Sequence, residues 1–421
     1  MRAEPVGVSV IIPTVDRASP LVRLLDSLRW QTHPRFEVVV VVGPTRDDTV
    51  DRVVAAGLPV KLVHCPARNL SMARNTGIAA AAGEFVAFID DDAVAEPNWL
   101  EELLVPFARP DVAAVGGWVF DRTGLELQYP TMLATRLGAT RPVAGGHRSD
   151  ERCFPCSWEF PYAPGGNAAY RRQVLIDLGM FDEEIEYYLD ETDVSARLID
   201  RGWIVTSVSG AAIHHKHLPS DVRGDGDVLR DLYPIVKNRA YFAFKHATGR
   251  TTEDEIIAAT AAFRDELLAT TRSQAAAGGA PAGELAALER RVAPAIDDGR
   301  RAAMATRPAP QAGGSPPPFV PYPGRGDMDD LRCRAIVTSH PLGPMTAEPS
   351  RVELRVIEPG DRPSVEFVDG VWRHTVVGNG DELLAEVRRL RRYRHLDEVV
   401  GGPAGDDVAA MTADVAGAVR S

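Results

Sequence analysis

Short apolar runs alternate with segments of helical periodicity through about the first 245 residues. Val8-Ser9-Val10-Ile11-Ile12, closed by Pro13, predicts a buried parallel strand. Ser19-Pro20 predicts a helix start, with serine as N-cap and proline in the first turn, and Leu21, Leu24, Leu25 and Leu28 follow at helical spacing. Val38 to Val42, apolar on both faces and ended by Gly43-Pro44, predicts a second strand, and Val60 to Val63 a third. Ser71 to Ala82 reads as a helix stopped by Gly83, and Phe85 to Ile89 as a strand running directly into Asp90-Asp91-Asp92. A helix over Pro97 to Phe107 and strands over Val112 to Val115 and Ile204 to Val208 continue the alternation. This order predicts an α/β protein whose mostly parallel sheet carries helices on both faces. Ligands in such sheets sit at the carboxyl ends of the strands, which is where the acidic triplet falls.

The texture changes near Glu253. Ala- and Arg-rich helical stretches run to about Ala305, and Arg307 to Arg325 is a Pro/Gly-rich connector containing Pro316-Pro317-Pro318. A smaller α/β segment follows, with strands expected over Arg334 to Ser339 and Val352 to Ile357, a basic helix over Glu382 to Tyr393, and a frayed end after Gly401. The expected division is therefore residues 1–250, a helical and Pro-rich linker over 251–328, and a small accessory module over 329–421.

Length and charge narrow the classes. A chain of 421 residues with net charge −12 has no basic surplus for a phosphate backbone, which argues against a nucleic-acid partner. No run of about 18 apolar residues occurs and no signal-peptide pattern opens the chain, so a soluble cytoplasmic protein is expected. Four cysteines do not make a disulfide framework, and Cys153-Phe154-Pro155-Cys156 has no second pair at zinc spacing.

Four segments carry candidate chemistry. Three adjacent carboxylates repel, since two unit charges about 4 Å apart cost roughly 4 kcal/mol at an effective dielectric of 20. Side chains at i and i+2 of an extended segment point the same way, so Asp90 and Asp92 can face one site while Asp91 faces elsewhere. Mg²⁺ or Mn²⁺ completed by substrate phosphates fits such a pair; an acidic loop capping the next helix is the alternative. Asp190-Glu191-Thr192-Asp193, behind Tyr187-Tyr188, opens a helix and reads either as plain capping or as a carboxylate made basic by burial. His214-His215-Lys216-His217 after a strand offers imidazoles, which suit Mn²⁺ better than Mg²⁺, or is a surface loop. Gly165-Gly166-Asn167 is a turn or a place where a ligand approaches backbone closely.

Together these segments resemble family 2 of the glycosyltransferases, the inverting enzymes with the GT-A fold. The resemblance covers roughly Val8 to His246 and rests on Val10-Ile11-Ile12-Pro13-Thr14, Ala73-Arg74-Asn75-Thr76-Gly77 and Gly83-Glu84-Phe85-Val86-Ala87-Phe88-Ile89-Asp90-Asp91-Asp92. Pro97-Asn98-Trp99-Leu100, Gly166-Asn167, Gly179-Met180-Phe181-Asp182-Glu183, Asp190-Glu191-Thr192-Asp193 and His215-Lys216 follow in order. The resemblance implies that Pro13, Thr14 and Asp16 meet the nucleotide base and ribose, with Arg68 and Arg74 near that pocket. It implies that Asp90 and Asp92 are the ends of the Asp-any-Asp motif holding ribose and the metal–diphosphate, with Asp91 between them and His215 completing the metal site. Gly166 and Asn167 would lie on the acceptor side, and Glu191 at the catalytic base with Asp190 beside it. The family's common Glu-Asp order is exchanged here, so either carboxylate is open as the base.

The implied function is metal-dependent, inverting transfer of a sugar from a nucleotide-sugar donor to a hydroxyl of a glycan, lipid-linked or small-molecule acceptor, in cell-surface polysaccharide or glycoconjugate synthesis. A UDP- or dTDP-linked donor is the family-weighted expectation. One departure bears on it: the family's Asp-Asp-Gly-Ser after the second strand is replaced by Val42-Gly43-Pro44-Thr45, with acids delayed to Asp47-Asp48. That substitution keeps a non-catalytic sugar-nucleotide or glycan-binding scaffold as the alternative. The segment from Arg334 to His374 faintly resembles the first half-domain of family 4 glycosyltransferases. Tyr233 to His246 mixes aromatics and bases, as would a peripheral membrane contact or a closing helix packed inward.

Overall fold

The computed structural model describes residues 5–143, 154–224, 228–278, 282–305, 310, 316–324, 333–338, 351–357, 362–368, 370–377 and 396–401. The chain begins as three parallel strands, β1 (Val8–Thr14), β2 (Phe36–Val42) and β3 (Val60–His64), joined by the helices α1 (Ala18–Leu28) and α2 (Thr49–Ala55). Helix α3 (Leu70–Ala80) then returns the chain to β4 (Phe85–Ile89), parallel to β1 on its other side. Alternate side chains explain the two covered faces. Val8, Val10, Ile12, Val38 and Val40 pack with the leucines of α1, whereas Ile11, Val39 and Val41 pack with Ala73 and Ile78 of α3.

The helix expected to begin at Pro20 after a Ser19 N-cap starts two residues earlier, at Ala18, and no side chain of its own N-cap residue caps it. Asp47 supplies the acceptor instead, taking a hydrogen bond from the Ala18 N–H at 3.3 Å. The cap is therefore made by a carboxylate 29 residues away, which local pattern does not reveal.

Past β4 the sheet becomes mixed. The next elements are β5 (Ala93–Ala95), α4 (Trp99–Leu104), a 3-10 turn Val105–Ala108 and β6 (Val112–Phe120). Pro106 lacks an N–H, so the helix expected through Phe107 ends as this tighter turn. Three further short strands follow, β7 (Leu127–Tyr129), β8 (Met132–Thr135) and β9 (Thr140–Pro142), and then β10 (Glu159–Tyr162) and β11 (Asn167–Arg171). Strand β11 lies antiparallel between β4 and β6. Helices α5 (Arg172–Asp177) and α6 (Asp190–Asp200) lead into the long β12 (Ile204–His215), parallel to β6 and antiparallel to β5. The main sheet runs β3-β2-β1-β4-β11-β6-β12-β5 with β7 paired to β6, and β10-β8-β9 form a small second sheet.

Helix α7 (Tyr233–Ala247) closes this unit with Tyr241, Phe242 and Phe244 buried. Helices α8 (Glu253–Gly278), α9 (Ala282–Val292) and α10 (Ala295–Met304) pack around it through Leu268, Leu288, Val292 and Ile296 on one side and Ile256 on another. No described helix is long and apolar enough to cross a membrane.

The described part of the Pro-rich connector is not extended in solvent. Tyr322 is buried, tilts its ring against Phe36 at 5.5 Å, donates its hydroxyl to the Leu25 carbonyl at 2.7 Å and its N–H to the Phe36 carbonyl at 2.8 Å. Val320 donates its N–H to Glu37 Oε2 at 2.9 Å. Residues 316–324 thus lie as a strap against the start of β2.

Beyond the strap, β13 (Cys333–Thr338), β14 (Arg351–Ile357), β15 (Ser364–Val368), β16 (Val371–Val377) and β17 (Leu396–Gly401) form a sheet in the order β15-β16-β14-β13-β17. Its pairings are parallel except the β15–β16 hairpin. The basic helix expected over Glu382 to Tyr393, the end after Gly401 and Cys153 lie outside the described residues.

Candidate active site

Because β1 and β4 pair in register, the loops leaving their carboxyl ends emerge side by side. The acidic triplet after β4 therefore meets the loop after β1. Asp91 turns inward: Thr14 Oγ1 donates to its Oδ2 at 2.7 Å and Arg17 to its Oδ1 at 2.9 Å. Burial pushes its carboxyl up to about 7 although Arg17 opposes the shift. Expected beside the donor, Asp91 lines the cleft and also ties the triplet to the β1 loop.

Asp90 and Asp92 face the other way, toward His215 at the end of β12, which the pairing of β12 with β5 sets beside them. His215 Nε2 lies 3.2 Å from Asp92 Oδ1 and 3.7 Å from Asp90 Oδ2. One ligand atom from each of the three residues lies within 4.8 Å of the others. Asp92 Oδ2 accepts the Leu218 N–H at 2.7 Å and lies 3.0 Å from Arg17, while buried Oδ1 accepts no hydrogen bond. Burial disfavours the Asp92 carboxylate, but His215, Arg17 and the Leu218 amide outweigh it and hold its pKa below the usual range. His215 Nδ1 is 3.0 Å from Gln128 Oε1 of β7. With that oxygen accepting from Nδ1–H, Nε2 is the ring atom left facing the two carboxylates, the position a metal ligand needs. The donor set and the orphaned buried oxygen fit a divalent cation.

At the same sheet edge, Asp16 is held in the left-handed region (φ 55°). Its carboxylate accepts from the Arg46 N–H at 2.5 Å and from Thr45 at 2.9 Å, and pairs with Arg68. These bonds lower it to about 2, the Arg46 amide contributing most. Arg68 also pairs with Asp221 at 2.6 Å, joining the β1 loop to the loop after β12. Pro13, Thr14, Asp16 and Arg68 line one cleft of about 910 Å³ with Asp90, Asp92 and His215.

Opposite them stands α6. Tyr188 and Leu189 both take positive φ (69° each), an uncommon backbone state that turns the chain sharply into the helix. Asp190 points inward and pairs with buried Arg74, whose guanidinium lies 5.7 and 5.3 Å from the Phe88 and Phe181 ring centres. Glu191, next in sequence, is half-buried and lines the cleft. Burial raises its carboxyl pKa, against the lowering influence of Arg74. Arg74, expected near the nucleotide, lines the same cleft and is paired there with Asp190. The two acids differ: Asp190 is matched by a cation, and Glu191 is left as a basic carboxylate facing the cleft.

The glycine turn fits by close approach. A Cβ on Gly166 would sit 2.3 Å from Asp90 Oδ2, and one on Gly165 would sit 2.6 Å from the Arg74 guanidinium. Asn167 departs from its expected acceptor-side place. Its buried side chain accepts from Trp99 Nε1 at 2.7 Å and donates to the Trp118 and Ala211 carbonyls at 2.8 and 2.9 Å, knitting β11 to its neighbours. Arg17, Gln128 and the cleft tyrosines Tyr129 and Tyr162 carry no motif in the sequence. Arg17 was accessible to charge reasoning alone, because buried carboxylates need a nearby cation and the adjoining parallel strand ends at Thr14, three residues before Arg17.

Residues 9–179 match the family described as Glycosyl transferase family 2. Among curated proteins, the chain is 32% identical over 212 residues to the pre-mycofactocin glycosyltransferase of Mycobacterium tuberculosis, covering 50% of this chain and 43% of that protein. It is 29% identical over 187 residues to the glucosyl-dolichyl phosphate glucuronosyltransferase of Haloferax volcanii, covering 42% of this chain and 56% of that protein. The chain spans about half the length of these curated relatives. Among solved structures, that of GalNAc-T7 with UDP, GalNAc and Mn²⁺ superposes with a TM-score of 0.46 at 16% identity, over 58% of this chain and 48% of the other.

Proposed function

We propose, from the match of residues 9–179 to glycosyl transferase family 2, that the chain transfers a sugar, with inversion, from a nucleotide-sugar donor to an acceptor hydroxyl. The observation that carries this reading is the pairing, across one cleft, of the Asp90–Asp92–His215 cluster with a Glu191 carboxylate that burial makes more basic.

Asp90, Asp92 and His215 would hold a divalent cation, and the imidazole favours Mn²⁺ over Mg²⁺. When bound, that cation supplies positive charge to the diphosphate as it leaves. Glu191 takes the acceptor hydroxyl's proton while the hydroxyl oxygen bonds to the anomeric carbon. The bond from that carbon to the diphosphate oxygen breaks on the opposite side, and its electron pair leaves with the nucleoside diphosphate. No covalent intermediate on the protein is needed. Pro13, Thr14, Asp16 and Arg68 would receive the nucleoside, with UDP or dTDP as the leading candidates. Gly166, whose lack of a side chain leaves room beside Asp90, would sit at the acceptor side. A hydroxyl on a glycan, lipid-linked or small-molecule acceptor, in polysaccharide or glycoconjugate synthesis, completes the proposal.

Thermal unfolding with a panel of nucleoside diphosphates and sugar nucleotides, with and without Mn²⁺, tests it. A ligand at 100 times its Kd adds about 2.7 kcal/mol of stability. A Mn²⁺-dependent rise with one nucleotide supports the donor site and names its base. No rise with any of them favours the non-catalytic scaffold, for which the altered Val42-Gly43-Pro44 loop is the specific motive.

A further inference from the structure

The β15–β16 hairpin of the C-terminal sheet lies against the strand end that carries His215. Val365 donates its N–H to the Thr123 carbonyl at 2.8 Å, fastening the hairpin to the turn between β6 and β7. Glu366 accepts from Lys216 Nζ at 3.2 Å, and the same ammonium donates to the Arg122 carbonyl at 3.0 Å in that turn. The Trp372 ring meets the His214 ring edge-on at 5.3 Å, and Phe367 meets Trp30 edge-on at 6.4 Å. Val365, Phe367 and Trp372 are all buried.

The catalytic side is shaped to receive it. Gly124 has φ +75°, and a Cβ there would stand 2.5 Å from the Val365 carbonyl oxygen and 2.6 Å from His214 Nδ1. A side chain at this position would separate the two surfaces.

Two independent supports of His215 are held by these contacts. Its chain neighbours His214 and Lys216 each touch the hairpin directly. Its hydrogen-bond partner Gln128 lies in β7, immediately after the turn to which Val365 is bonded. We propose that the hairpin Ser364–Val377 is a positioning element of the metal site, with Trp372 and Glu366 fixing the imidazole of His215 through His214, Lys216 and the β6–β7 turn. This inference rests on the metal-site reading made above. It gives the C-terminal module a role in the reaction of the family 2 domain although the family match ends at residue 179.

The test is a titration of the full-length protein with Mn²⁺ alone, reading free Mn²⁺ by its paramagnetic resonance signal. Loss of outer-shell support typically lowers metal affinity by about 10–100-fold. Trp372→Ala and the half-exposed charge reversal Glu366→Lys are each expected to weaken Mn²⁺ binding by about 10-fold while circular dichroism stays unchanged. Tyr322→Ala, which loosens the strap away from His215, serves as the control for general destabilisation and should leave Mn²⁺ affinity as it was. If Trp372→Ala fails to fold, Glu366→Lys decides. Wild-type affinity in a folded Glu366→Lys and Trp372→Ala overturns the inference and leaves the metal reading standing. Absence of Mn²⁺ binding in the unaltered protein overturns the metal reading itself, and this inference with it.

Discussion

Asp190 and Glu191 are adjacent, yet their surroundings give them different chemistry. Arg74 pairs with Asp190 in a buried position, so removing either partner leaves an uncompensated charge, at about 3–5 kcal/mol. Asp190→Asn is accordingly expected to lower the melting temperature markedly, as differential scanning calorimetry would show. Glu191→Gln should leave the fold and donor affinity nearly intact while kcat falls at least about 10²-fold in a transferase assay. A comparable loss of kcat without loss of stability in Asp190→Asn would move the base to that residue. Because burial raises the Glu191 carboxyl, the acid limb of the kcat/KM profile should lie above the ordinary value of 4.5 for glutamate. The same shift bears on stability with the opposite sense. A raised folded pKa favours the fold below about pH 4.5 and that contribution is lost as pH rises through the folded value. The exchange of the two acids relative to the family's order was visible in the sequence, but which of them had a cation was not. Arg74 lies 116 residues before Asp190, and only the packing of α3 against the approach to α6 brings them together.

Among the elements, α6 depends on a buried latch at its inner face. Asp193 accepts from Arg197 Nε and from His246 Nε2, each at 2.7 Å, and lies 2.7 Å from Lys245 Nζ. It thereby binds the first turns of α6 to the last turn of α7. These partners overcome burial and hold the Asp193 carboxyl well below its usual 3.8. A lowered folded pKa adds stability above the unfolded value, which is lost as pH falls through the folded one. Asp193→Asn should therefore cost about 3–5 kcal/mol at neutral pH by urea unfolding, with the deficit shrinking below about pH 4. An unchanged midpoint at pH 7 would show that the latch carries no net stability. The start of α6 and its acidic first turn were legible from pattern, because acids there suit any helix N-terminus. The division of labour among those acids was not, since it depends on α7. The small strands were also illegible: β5 and β7 have three residues each, too few for a period to register, and β11 enters the sheet from a Gly-Gly turn. By contrast, β1, β2 and β4 were readable because strands buried on both faces give continuous apolar runs.

At the scale of the whole molecule, composition marked a Pro/Gly-rich connector from Arg307 to Arg325, and its described part packs on the first strands of the chain. Proline-rich sequence cannot build a core of its own, but it can lie on one already formed, and 316–324 does so through Tyr322 and Val320. A chain ending after Ala305 would expose Phe36, leave the Leu25 carbonyl without the Tyr322 hydroxyl, and leave Glu37 Oε2 without the Val320 amide. Losing a buried aromatic contact of this kind costs about 3–5 kcal/mol. A chain ending after Gly324 keeps all three interactions and loses only the C-terminal sheet. The two truncations are therefore expected to separate stability from metal binding. The shorter should melt lower and tend to precipitate. The longer should stay soluble and bind nucleotide through the β1 loop, with Mn²⁺ affinity reduced because the hairpin beside His214 and Lys216 is gone. Equal melting temperatures would mean that the strap adds nothing. Equal Mn²⁺ affinity between the longer truncation and the full chain would mean that the strand end carrying His215 needs no support from the module.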